Sequence, residues 1–221
     1  ICFFIVKKGT YTVKEIIRSI ITNVLTALYQ PFWFAVLLSV LFMFLYLYAR
    51  SSACEGGHGF KEALKTWLRH FRRDPEFRRL FFFVFYLTMI LFRTLVNRNM
   101  WLNPLSDVMG GWWIYKEDSK TGEMVLTTEC IENLILFLPF TILLFWNFRK
   151  RLLGETIRLG KTFCLSMGIV FLCSLSIEFL QLFLRLGTFQ LSDLCYNTLG
   201  GGIGGILYFA GHKLTAKISV P

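Results

Sequence analysis

The sequence predicts an all-α integral membrane protein, with about five transmembrane helices in an antiparallel bundle and one or two interfacial amphipathic helices. Three observations carry this expectation. Of the 221 residues, 55% are hydrophobic and 24 are Phe. Several apolar runs approach the roughly 20 residues that a helix needs to cross hydrocarbon. The basic residues, which bring the net charge to +10, fall almost entirely between those runs. In a soluble chain such a charge would point to nucleic acid. In loops between spans it points to the cytoplasmic membrane surface, so the lipid bilayer is the expected partner and nucleic acid is not.

The chain divides into an N-terminal part (1–79), a four-helix membrane core (80–212) and a short cytoplasmic tail (213–221). Its first residues, an apolar stretch followed by Lys7 and Lys8, are too short and in the wrong order for a signal peptide. Within 14–28, Ile16, Ile17, Ile20, Ile21, Val24 and Leu28 recur at helical spacing, with Lys14, Arg18, Ser19, Thr22 and Asn23 on the other face. That pattern predicts an amphipathic interfacial helix. Pro31 then introduces the first span, 32–49. After the loop 51–59, residues 60–73 form a second amphipathic helix, with Phe60, Leu64, Trp67, Leu68 and Phe71 on one face and Lys61, Lys65, Arg69, Arg72 and Arg73 elsewhere. It fits either an anionic leaflet or the cytoplasmic end of the bundle. The remaining spans are expected at 80–97, 130–148, 162–184 and 193–212. Trp101, Trp112, Trp113 and Tyr115 supply an interfacial belt in the long segment after the second span.

Fifteen basic residues lie in 50–79, 149–161 and the tail, against eight on the other side, counting Lys7, Lys8, Lys14, Arg18, Arg98, Lys116, Lys120 and Arg185. The positive-inside rule therefore predicts a cytoplasmic C-terminus and an extracytoplasmic N-terminus. The six cysteines (Cys2, Cys54, Cys130, Cys164, Cys173 and Cys195) form no C-x-x-C pair, and His58, His70 and His212 are isolated. Neither a metal nor a cofactor is expected.

Ionisable residues inside spans are costly and normally face the bundle interior. Here they gather at the outward ends of the last four spans: Arg93, Thr94, Asn97 and Arg98; Glu132 and Asn133; Ser174, Glu178, Gln181 and Arg185 in one stripe; Asp193 and Asn197 in another, continued by Gly200, Gly204 and Tyr208. At about 1.5 Å per residue, Glu178 and Asn197 lie roughly 6–10 Å inside the outer boundary. Arg93 is deeper than Arg98 and calls for an internal carboxylate such as Glu178. Arg93, Arg98, Asn133, Glu178, Gln181, Asp193 and Asn197 are thus candidate ligand-binding residues, and Glu178 with Asp193 a candidate acid/base pair. Each also has a structural reading: helix cap for Asp193, interhelical hydrogen bonds for the amides and Glu178, snorkelling for Arg98. The Gly200–Gly205 run contains G-x-G-x-x-G, but no strand precedes it. It reads instead as two small-xxx-small packing faces, and Pro139 is expected to kink its helix.

The segment SLSIEFLQLFLRLGTFQLSDLCYNTLGGGIGGILY resembles the C-terminal hallmark of the VanZ-like family, through Glu178, Gln181, Gly187, Thr188, Phe189, Asp193, Asn197 and Gly200. Asn133, Phe137 and Pro139 of ENLILFLPF and Thr94 and Arg98 of FRTLVNR resemble its upstream segments, and Thr141 stands where that family commonly has Gly. The resemblance covers roughly 84–210. It implies a role in resistance to teicoplanin and related lipid-bearing glycopeptides. Three readings remain open: a non-enzymatic factor whose outer-leaflet pocket binds an anionic lipid, a cell-wall precursor headgroup or a lipoglycopeptide; an intramembrane enzyme acting on a lipid-linked phosphate or sugar; and a small lipid transporter.

Overall fold

The structure, a computed structural model, describes residues 12–51, 60–117, 122 and 124–218. Cys2, Lys7, Lys8, Cys54, His58 and Lys120 lie outside the described residues. Among the described residues, seven α-helices follow in order: α1 (Val13–Tyr29), α2 (Phe32–Ser51), α3 (Phe60–Arg73), α4 (Pro75–Leu91), α5 (Glu129–Leu153), α6 (Leu159–Leu184) and α7 (Leu191–Ile218). A π-helical turn, Phe92–Val96, prolongs α4, and a hairpin of two three-residue strands, β1 (Tyr115–Glu117) and β2 (Met124–Leu126), precedes α5. The hairpin, like the π-turn, is an element type the sequence did not announce, because strands so short carry no readable alternation.

The helix starts follow from local chemistry. Thr12 caps α1 in a reciprocal box with Glu15, and Asp74 caps α4 just ahead of Pro75 in its first turn. Asp74 alone separates α3 from α4. Trp67 stacks on Phe71 and meets Phe77 and Phe81 edge-on, so α3 docks on α2 and α4. Its basic residues line the opposite surface with Leu64 and Leu68. Of the two placements open to α3, the contacts show packing against the bundle.

Among the described residues, four helical stretches are long and apolar enough to cross a membrane: Val13–Arg50, Pro75–Val96, Glu129–Leu153 and Leu159–Leu184. The chain is an all-α membrane protein. The fifth expected span, α7, has the length, at 28 residues, but its glycines and polar residues leave it less apolar. It packs chiefly against α5 and α6. Gly200 and Gly204 allow this. A Cβ on Gly200 would meet the Leu134 carbonyl, and one on Gly204 would come within 2.5 Å of the Leu138 carbonyl oxygen. On α2, Trp33, Leu37, Leu41 and Leu45 form an exposed stripe at helical spacing, as a lipid-facing surface requires.

Pro139 does not break α5. The only non-helical residue in that helix is Phe148, with φ −115° and ψ 23°. Neighbouring helices tolerate the missing backbone donor in a membrane bundle. At the Phe148 break the Asn147 amide donates to the carbonyls of Arg79 and Leu143, at 3.1 and 2.9 Å.

Candidate functional site

At the end of the bundle away from α3, a cavity of about 990 Å³ opens between the π-turn, the start of α5 and the α6–α7 loop. Four of the seven sequence-predicted residues line it: Arg93, Arg98, Asn133 and Asp193. Glu178, Gln181 and Asn197 do not. They lie beneath it in the packed interior, at 2%, 2% and 6% exposure.

The π-turn explains the upper part of α4. The Asn97 N–H bonds to the Phe92 carbonyl five residues back, at 2.8 Å. Gln181 Nε2 donates to the Thr94 carbonyl at 2.7 Å. Wide turns of this kind commonly sit at functional sites. Arg93, in the same turn, pairs with Glu132 at the start of α5. Glu132 also accepts from the Thr128 hydroxyl, which in turn accepts from Asn23 Nδ2 at 2.7 Å. The expected pairing of Arg93 with Glu178 is therefore corrected. Both carboxylates sit at the right depth, but α5 rather than α6 presents its acid to the turn.

Glu178 holds a loop. Its Oε2 accepts the Gln190 N–H at 3.0 Å, while Arg98 and Asp193 lie close enough to act on it electrostatically. The three amides expected to offer hydrogen bonds to a ligand are already engaged. Asn133 donates to Asp193 at 2.6 Å, Gln181 to the π-turn, and Asn197 to Ser174 at 2.8 Å.

The segment after α4 is laid over the α6–α7 loop by backbone bonds. Trp101, Phe189 and Leu191 donate to the carbonyls of Arg185, Pro104 and Val108, each at 2.9 Å. Gln190 Nε2 adds bonds to Asp107 and Thr188 at 3.2 and 3.0 Å. Gly187 turns the loop with φ +109°, a conformation that favours glycine, and Arg98 Nη1 lies 3.7 Å from where its Cβ would be. Sequence reasoning placed Glu132 at the right level but left it out of the site. It missed Asn23, Asp107, Thr128 and Gln190 altogether. Asn23 sits on a helix read as peripheral, and Asp107 and Gln190 lie in loops where helical periodicity carries no signal.

Arg98 is one of two arginines lining the cavity, beside the carboxylates of Asp107, Glu129, Glu132 and Asp193. Glu132 is paired by Arg93, Asp193 accepts from Asn133, and Asp107 accepts from Gln190. Among the described residues, Arg98 makes no ion pair within 4.0 Å and its side chain is exposed toward the cavity.

The sequence model of the VanZ/LLP1 family matches residues 32–212. The match reaches further toward the N-terminus than the motifs do, taking in α2 and α3. Among curated proteins the chain is similar to Protein VanZ of Enterococcus faecium, at 33% identity over 85 residues, which make up 38% of this chain and 47% of that protein. The aligned part thus spans about half the length of that relative. No solved structure matches the chain.

Proposed function

This chain belongs to the VanZ/LLP1 family, and on that footing we propose that it is a membrane-embedded binding protein whose polar cavity faces the outer leaflet. There it takes the anionic group of a lipid or cell-wall precursor headgroup, and so lowers susceptibility to teicoplanin and related lipid-bearing glycopeptides. The observation that carries this reading is Arg98. Its guanidinium offers planar, paired donors of the kind that phosphate and carboxylate accept. Asp107, Glu132 and Asp193 each accept a hydrogen bond from a protein group, and among the described residues Arg98 has no carboxylate within 4.0 Å.

Two features favour binding over the other readings. Glu178 is buried and engaged with a backbone N–H, which suits a residue that shapes the loop better than one that shuttles protons. Below the cavity, Ile90, Phe137, Phe140 and Val170 pack into a core with at most 4% exposure, which opposes a polar path across the bilayer.

The test is teicoplanin susceptibility in a sensitive host expressing the intact protein, Arg98→Ala or, as a control at the opposite end, Lys150→Ala. Loss of the charged hydrogen bond should weaken anion binding about tenfold or more. Arg98→Ala should therefore remove most of the protection and Lys150→Ala none. Full protection by an Arg98→Ala protein inserted at the normal level defeats the reading.

A further inference from the structure

Below the cavity an apolar slot of about 190 Å³ runs between α1, α4 and α5. One wall descends α4 from Arg93 to Tyr86, the other descends α5 from Glu132 to Pro139, and Val24 and Ala27 of α1 cover it. Each wall covers eight residues, or seven helical rises, about 10 Å of depth. Arg93 and Glu132 line both spaces. Cavity and slot therefore adjoin at the Arg93–Glu132 ion pair, with polar lining above it and apolar lining below it. The Tyr86 hydroxyl donates to the Leu136 carbonyl at 2.8 Å, so it does not offer its polar atom to the slot.

The cover is the most weakly held helix of the bundle. No residue of α1 is buried. Its side-chain hydrogen bonds to the bundle are Asn23 to Thr128 and, just past its end, Asn97 to Gln30, at 2.7 and 2.8 Å. A space of this kind, polar at the headgroup level and apolar beneath, has the profile of an amphiphile.

We propose that the slot holds one hydrocarbon chain of a glycerophospholipid whose phosphate headgroup occupies the cavity at Arg98, entering from the bilayer past α1. This rests on the anion-binding reading of the cavity and adds the class of ligand and its route. A membrane lipid is favoured over a lipoglycopeptide because a phosphoglycerol head fits a cavity of about 990 Å³ more readily than a glycosylated cyclic peptide.

The experiment uses the full chain in nanodiscs containing phosphatidylglycerol with a diazirine midway along one acyl chain, with labelled residues mapped by mass spectrometry. In parallel, glycerol 1-phosphate is titrated into delipidated protein by calorimetry. Labelling should concentrate on the slot walls and on Val24 and Ala27. Ala27→Trp, which fills the slot, should weaken lipid binding about tenfold or more and leave glycerol 1-phosphate affinity unchanged. Arg98→Ala should weaken both. Labelling spread evenly over the lipid-facing surfaces of α2 and α6, with glycerol 1-phosphate still bound through Arg98, overturns the slot and spares the cavity. Absence of glycerol 1-phosphate binding by the unaltered protein overturns the cavity reading itself. Slot labelling by a diazirine-bearing teicoplanin but not by the phospholipid overturns the lipid assignment. If Ala27→Trp does not fold, the labelling map of the unaltered protein decides.

Discussion

Arg93 and Glu132 meet at the cavity wall largely shielded from solvent, with side chains 25% and 13% exposed. Removing one partner of such a pair leaves the other as an uncompensated charge, which costs more than the pair itself contributes. Glu132→Gln should therefore lower stability by about 2–3 kcal/mol, somewhat under the full penalty for a buried pair because Arg93 keeps some contact with solvent. The double variant Arg93→Met/Glu132→Leu should recover most of that loss, and thermal unfolding in detergent across the double-mutant cycle reads both. A double variant no more stable than Glu132→Gln alone would show that the pair is not the source of the cost. Sequence periodicity could place Arg93 inside the bundle but could not choose its partner. Glu132 and Glu178 lie at similar depths, and the choice depends on how α5 and α6 are rotated about their axes, which is a property of packing.

That rotation is fixed by the glycine faces of α7. Gly200 and Gly204 rest on the α5 backbone, whereas Gly201 and Gly205 rest on Val170 and Ser166 of α6. One helix thus locks two neighbours through adjacent stripes. Membrane helices lack a hydrophobic force between them and depend on such close van der Waals approach. Gly204→Leu should push α7 off the Leu138 carbonyl and cost about 1–3 kcal/mol, with the cavity displaced as well, since Asp193 sits on the same helix. Gly211→Leu, on the same helix but with open space around its Cα, should change the melting temperature little. Equal melting of the two variants would refute the locking role. These stripes were legible from the G-x-x-x-G spacing alone, and the helices were legible in number and order, with ends displaced by as much as the gap between the expected residue 212 and Ile218 in α7. The π-turn was not. It depends on a remote amide, Gln181, reaching Thr94 from another helix, and no local pattern near residue 92 encodes that partner.

At the scale of the whole molecule, the cavity and the basic surface lie at opposite ends, and only one orientation suits both. Lys61, Lys65, Arg69, Arg72 and Arg73 on α3 share their end with Arg149 and Lys150. The cytoplasmic leaflet is anionic, and each such residue near it gains about 1 kcal/mol. The reverse orientation would carry this whole cluster to the outer face and turn the cavity inward, away from any extracellular glycopeptide. Orientation is therefore a condition of the proposed function and can be tested apart from it. In a cysteine-free background, Leu102→Cys, 95% exposed in the segment beside the cavity, should react in intact cells with a membrane-impermeant maleimide. Glu155→Cys, in the short connection between α5 and α6, should react only after the membrane is opened. The opposite pattern would place Arg98 in the cytoplasm, where a cell-wall precursor headgroup on the outer surface is out of reach, and would end the outer-leaflet reading whatever the cavity binds.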